Sequence, residues 1–227
     1  MVDNLTVGRG IFENFAESQR VDFMPKEDKT SVVTRAMNEI IESVKRAADL
    51  LIPEQVETII ETLMEARHKK ILVVGAGRSG LVGKAFAMRL MHLGYQVYVT
   101  GETIAPILGP GDVVIAISGS GTTRLVVISS KIARERRGAR IVAITSYPDS
   151  PLGRLADQVA VVVGRTKMTR QEDYISRQIV GEHEPLAPLG TQFEIATMVF
   201  LDGIIAELMH RLGKKEEDLK ARHATIE

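Results

Sequence analysis

Apolar positions along this chain first follow a helical spacing. From Val33 they fall at steps of three and four: Val33, Met37, Ile40, Ile41, Val44, Ala47, Ala48 and Leu51. That spacing predicts an amphipathic helix, capped by Thr30 or Ser31. Pro53 stops it and suits the first turn of a second helix, which carries Val56, Ile59, Ile60, Leu63 and Met64 on one face. Beyond residue 70 the pattern shortens to continuous apolar runs rich in β-branched residues. The runs at 71–74, 96–100, 113–117, 141–145 and 159–163 read as strands. Helical spacing returns between them. It holds Ala85, Ala87, Leu90 and Met91 after the first run, and Val126, Val127, Ile128, Ile132 and Ala133 after the third. A short helix follows the fourth, around 152–156. A last apolar helix carries Ile195, Ala196, Met198, Val199, Leu201, Ile204, Ile205 and Leu208. Strands alternating with helices at short intervals predict an α/β fold, a parallel sheet with helices on both faces. The two leading helices can cover that sheet or meet another subunit, and the pattern serves either.

Three stretches break the pattern. Residues 1–29 are mixed, with Gly8, Gly10 and Pro25 interrupting any long period. There Ile11-Phe12-Glu13-Asn14-Phe15 is either a helical turn docking its aromatics on the body or part of a mobile extension. The connection 164–190 is strongly polar up to Pro185-Leu186-Ala187-Pro188-Leu189-Gly190, with a helical piece possible from Tyr174 to Val180. A connection of that length in a compact domain is usually functional or mobile. The tail after Gly213 is charged and reads as frayed. The expected organisation is an extension at 1–30, one domain at 31–213 that includes the helices of 31–67, and a tail at 214–227.

The chemistry gathers where two of the buried runs end. The run 113–117 follows the turn Gly109-Pro110-Gly111-Asp112 and opens into Ser118-Gly119-Ser120-Gly121-Thr122-Thr123. A buried strand that opens into hydroxyls and glycines just ahead of a helix suits an anion. Glycines let backbone N–H groups crowd a ligand, and the helix start adds free donors and a positive dipole end. An ordinary strand-to-helix turn would explain one of those hydroxyls and one glycine. The run 71–74 opens into Gly75-Ala76-Gly77-Arg78-Ser79-Gly80, the G-x-G-x-x-G spacing of dinucleotide-binding turns. That reading needs an acidic residue at the end of the second strand, and Glu102 lies late for the role.

Composition narrows the partners. Lys plus Arg and Asp plus Glu both number 29 in 227 residues, so net charge points to neither nucleic acid nor membrane. The basic cluster Arg134-Glu135-Arg136-Arg137-Gly138 reads as a solvated helix end rather than a nucleic-acid patch. Cysteine is absent, which removes disulfides, thiolate chemistry and cysteine metal sites. No His/Asp/Glu cluster has metal-ligand spacing, so no metal is expected. His92, near a helix end, reads as structural. The first residues lack a signal-peptide pattern and no apolar run nears the ~18 residues of a membrane span. A soluble, cytoplasmic protein is expected.

The two strand-to-glycine turns together resemble the sugar isomerase (SIS) domain family. Pro188-Leu189-Gly190-Thr191-Gln192-Phe193-Glu194 resembles the segment of that superfamily's 6-phospho-3-hexuloisomerases. The resemblance covers about residues 35 to 210. It implies a doubly wound, three-layer fold with a five-stranded sheet in the order 2-1-3-4-5, here with extra N-terminal helices. It implies interconversion of hex-3-ulose 6-phosphate and fructose 6-phosphate without a cofactor, a step of the ribulose monophosphate pathway. It also implies a homo-oligomer, most readily a dihedral tetramer. Residues 1–30 and the long stretch 164–187 depart from the family pattern.

Under that resemblance Ser118, Gly119, Ser120, Gly121, Thr122 and Thr123 grip the phosphate, and Arg78 and Ser79 hold substrate oxygens. A surface salt bridge is the other reading of Arg78. Glu194 is the base of a proton shift through an enediol, although by position it also fits a helix cap. His183 is the second candidate, as an acid or a donor to the enediolate, and a solvated loop histidine otherwise. Three rival classes remain open: a nucleotide-binding redox protein, a non-catalytic sugar-phosphate sensor, and another aldose–ketose phosphate isomerase of the superfamily.

Overall fold

The structure is a computed structural model that describes residues 31–164 and 186–222. The chain divides into two units, Met1–Ser31 and Val32–Glu227, and every element described belongs to the second. Two helices lead, α1 (Val32–Asp49) and α2 (Pro53–Glu65), the latter with Pro53 in its first turn as the sequence predicts. Then come β1 (Lys70–Gly75), α3 (Gly77–His92), β2 (Gln96–Val99), β3 (Val113–Ile117) and α4 (Arg124–Arg137). β4 (Arg140–Thr145), α5 (Pro151–Leu155), β5 (Gln158–Val161), α6 (Thr191–Arg211) and α7 (Glu216–Lys220) complete the order.

All pairings are parallel and the sheet runs β2-β1-β3-β4-β5, the expected order. Alternation sorts the strand residues into two cores. Ile71, Val73, Val113, Ile115, Ile117, Val142 and Ile144 face a layer built from α2, α3 and α6. Val74, Val114, Ala116, Ile141 and Ala143 face α4 and Leu152 of α5. Both faces being covered explains why these strands read as unbroken apolar runs rather than alternating ones.

The open choice for the leading helices resolves differently for each. α2 lies on the sheet, with Ile59, Ile60 and Leu63 in the core. Its Gln55 side chain accepts a hydrogen bond from the Val161 backbone N–H at 3.0 Å, which pairs an edge-strand donor that would otherwise lack one. The Thr62 hydroxyl donates to Gln158 Oε1 at 2.8 Å. α1 packs instead against α6, and Ala47 is its one buried residue.

Two local expectations are corrected. The glycine motif after β1 is not wholly a loop, because α3 already begins at Gly77. The tail is not frayed at its start. Leu219 of α7 is buried in the main core, and the Lys215 backbone N–H donates to Asp218 Oδ2 at 2.8 Å. One apolar residue in a charged segment was enough to dock it. No helix among the described residues is long and apolar enough to cross a membrane.

Candidate active site

β1 and β3 are neighbours in the sheet, yet the helices that follow them lie on opposite faces. α3 joins the core with α2 and α6, whereas α4 joins the other. The chain therefore parts at this point, and a crevice opens beyond the carboxyl ends of the two strands. Register places Gly75 beside Ile117, so both glycine-rich turns emerge side by side at its lip.

On the β3 side the loop is held from behind. Gly119 is buried, and its carbonyl accepts from the Ser146 backbone N–H at 3.1 Å and the Thr145 hydroxyl at 3.2 Å. The Gly121 carbonyl accepts from the Leu152 N–H at 3.0 Å. Gly121 itself has φ +63°, and a Cβ there would collide with the Ser150 side chain, so only glycine fits. The end of β4 thus forms the rear wall of the loop. Sequence reasoning missed this, although Thr145 and Ser146 close the strand next to β3.

The loop hydroxyls divide into an inner and an outer pair. Ser118 is 2% exposed, and its Oγ donates to Thr123 Oγ1 at 2.9 Å. Ser120 Oγ accepts from the Thr122 hydroxyl at 2.9 Å and from the Thr122 backbone N–H at 3.3 Å. Because Ser120 accepts in both bonds, its own O–H remains to donate outward. Thr123 occupies the N-cap position of α4, but its side chain makes no cap hydrogen bond. That leaves the helix-start donors to the loop and to whatever the loop holds.

On the β1 side the backbones of Gly75 and Gly80 touch. A Cβ on Gly75 would lie 2.9 Å from Gly80 Cα. These two glycines serve the packing of the α3 start against β1. Arg78 and Ser79 stand in that first turn, Ser79 half-buried and the Arg78 side chain 61% exposed. Glu102, the acidic residue that the dinucleotide reading requires, is exposed and pairs with Lys84 of α3 at 2.8 Å.

The third wall is the start of α6. The chain enters it through Leu186, whose N–H donates to Glu39 of α1 at 2.7 Å. It then turns at Gly190, with φ +93° at the N-cap. A Cβ on Gly164, just past β5, would meet the Phe193 backbone, so the helix start lies against that end of the sheet. Glu194 is in the first turn, its side chain only 13% exposed, and it accepts a hydrogen bond from Arg78 Nε. Its carboxylate also lies over Gly190, where an added Cβ would sit 3.3 Å from Oε1. The structure therefore brings Arg78 and Glu194 together, and sets Ser79 and the hydroxyl loop at the same carboxyl end of the sheet. His183 lies outside the described residues, as does the rest of 165–185.

One sheltered carboxylate, one solvent-exposed cation and a neutral, donor-rich loop can grip an anionic group and move a proton beside it. A separate cavity of about 650 Å³ lies between α1, α2 and α6, lined by Val44, Leu51, Ile60, Val199 and Phe200. Its walls are mostly apolar, and the charged groups on it, Glu57, Glu207 and Arg211, are already bonded to one another, so its size does not make it the site. Among the described residues no three His, Cys, Asp or Glu side chains gather as a metal-binding group.

The SIS domain profile matches residues 64–186. An uncharacterized protein of Aeropyrum pernix is 61% identical over 159 residues, 70% of this chain and 74% of that protein. The 3-hexulose-6-phosphate isomerase of Mycobacterium gastri is 37% identical over 195 residues, 86% of this chain and 92% of the relative. A crystal structure from Methanococcus jannaschii, for which a 3-hexulose-6-phosphate isomerase function was inferred, superposes with a TM-score of 0.66. It is 32% identical and covers 86% of this chain and 98% of its own.

Proposed function

The chain belongs to the SIS domain family, and from that premise we propose that this isomerase interconverts hex-3-ulose 6-phosphate and fructose 6-phosphate through an enediol, without a cofactor. The observation that carries the reading is the sheltered Glu194 carboxylate at the lip of the crevice, beside the turn from which Arg78 reaches it. The relatives named 3-hexulose-6-phosphate isomerase support the choice of sugar.

In this reading Glu194 takes the proton from C2 of the 3-ketose. The C3 carbonyl oxygen gains a proton as the C2=C3 enediol forms. The C2 hydroxyl then gives up its proton as the C2 carbonyl appears, and Glu194 returns a proton to C3. The loop Ser118, Gly119, Ser120, Gly121, Thr122 and Thr123 holds the phosphate, with Ser118 shaping it through its buried bond to Thr123. Ser79 and Arg78 hold substrate oxygens, and His183 is the proposed second acid or donor. A C3 ketone whose O6 is phosphorylated has no free hydroxyl placed to close a five-membered ring. The substrate is therefore open-chain, and the site needs no ring-opening acid.

The same reading makes the protein a homo-oligomer that acts on its sugar phosphate in the cytoplasm. An assay coupling hex-3-ulose 6-phosphate to fructose 6-phosphate detection tests it. Steady product formation is expected. Its absence, with the fold intact, would overturn the assignment and return the neighbouring sugar-phosphate isomerisations to first place.

A further inference from the structure

We propose that Arg78 is an exchangeable counter-ion: it holds Glu194 while the crevice is empty and passes to the anionic oxygens of the ligand when one binds, releasing the carboxylate for proton transfer. This deepens the isomerase reading and rests on it for the role of Glu194.

Several features of the pair point to exchange rather than to a fixed tie. Arg78 lies in the first turn of α3, where the helix dipole disfavours a cation, so its placement needs another explanation. An anion at that helix start would supply one. The two partners also differ in freedom. Glu194 is nearly enclosed, at 13% exposure, whereas 61% of the Arg78 side chain is open to solvent. A long, solvated side chain can swing away at low cost, and a sheltered carboxylate cannot follow it. The bond joins Nε of Arg78 to Oε2 of Glu194. Among the described residues its terminal nitrogens make no hydrogen bond, and they can take an anion in a forked geometry. Finally, α3 starts from β1, whose neighbour β3 opens into the hydroxyl loop. A ligand held by that loop therefore arrives beside Arg78. While Arg78 Nε occupies Oε2, that oxygen is not open to a substrate proton, so the pair must part before Oε2 can accept one.

Exchange has a measurable consequence. If Glu194 occupies Arg78 most of the time, the ligand's apparent affinity is reduced by the fraction of Arg78 that is free. Removing the carboxylate should then tighten anion binding. The test is titration calorimetry with sorbitol 6-phosphate, an open-chain hexitol phosphate that has no carbonyl and cannot enolise. Glu194→Gln is expected to bind it about three- to tenfold tighter than the natural protein. In an Arg78→Gln background the same change should alter affinity less than about twofold. Glu194→Ala carries the same expectation and guards against a glutamine that re-pairs with Arg78.

Equal tightening in both backgrounds would mean simple charge repulsion and would overturn the exchange. So would no tightening in either, and so would a natural protein that fails to bind the probe. Turnover of hex-3-ulose 6-phosphate is measured on the same preparation. Failure of turnover with the predicted affinity pattern intact would sink the isomerase reading alone. Turnover without the pattern would sink the exchange alone.

Discussion

At the scale of single residues, Glu194 has two descriptions that predict opposite results. As a cap, its carboxylate would serve the start of α6. Yet the N-cap is Gly190, which makes no side-chain cap bond, and the carboxylate accepts from Arg78. Glu194→Gln is nearly isosteric, so the fold should persist with a loss of about 0.3–1 kcal/mol in dipole interaction. Turnover should fall about 10²–10⁴-fold, the usual cost of removing a general base. A lowered melting temperature with near-normal kcat would reject the base. Reaction in deuterated water gives an independent check, because a base that exchanges with solvent places deuterium on C3 of the fructose 6-phosphate formed. The loop hydroxyls also separate. Ser120→Ala removes an outward donor, worth roughly 1.5–3 kcal/mol against a charged group, and should raise KM about ten- to hundredfold with little change in stability. Ser118→Ala removes a buried bond to Thr123 and should cost about 0.5–1.5 kcal/mol of stability. Equal KM values in natural protein and Ser120→Ala would take Ser120 out of the phosphate site.

At the scale of elements, the β3–loop–α4 unit is a backbone shape maintained from behind. Gly121→Ala forces a Cβ into the left-handed region and against Ser150, for roughly 2–5 kcal/mol of destabilisation. Ser150 also caps α5, its Oγ accepting from the Gly153 N–H at 3.2 Å. Ser150→Gly should therefore destabilise the natural protein but recover part of the loss in Gly121→Ala. Denaturant melts of the two single variants and the double variant measure that sign reversal, and plain additivity would contradict the described contact. This unit was legible in the sequence because its signals are local: an unbroken apolar run, a turn before it, hydroxyls and glycines after it. The glycine motif after β1 was legible as a motif but misread in part. Gly75 and Gly80 are glycines because two backbones touch, which no spacing rule distinguishes from a ligand cradle. The tie between Arg78 and Glu194 has no local signature, since its partners meet only when α6 returns across the sheet. The same holds for Gln55 on the β5 edge and for Thr145 behind the loop.

At the scale of the whole molecule, α1 and α4 carry apolar stripes that the described residues leave open. On α1, Val33, Met37 and Ile41 are 68%, 56% and 58% exposed and fall at steps of four. On α4, Leu125, Ile128 and Ile132 are 52%, 46% and 47% exposed, at steps of three and four. α1 packs on α6 in the layer that covers one face of the sheet, and α4 covers the other face, so the stripes belong to different surfaces. A dihedral tetramer needs two distinct self-complementary interfaces, and two separate stripes can supply them. Fully burying one such side chain is worth roughly 1.5–3 kcal/mol, so the stripes are where an interface between copies would gain most. The natural protein is therefore expected to sediment as a tetramer. Met37→Glu and Ile128→Glu should each divide it into dimers, because each spoils one interface and spares the other. The double variant should be a monomer with its melting transition still cooperative. A natural protein that sediments as a monomer would reject the assembly. Single variants that leave the tetramer whole would reject these stripes as its interfaces.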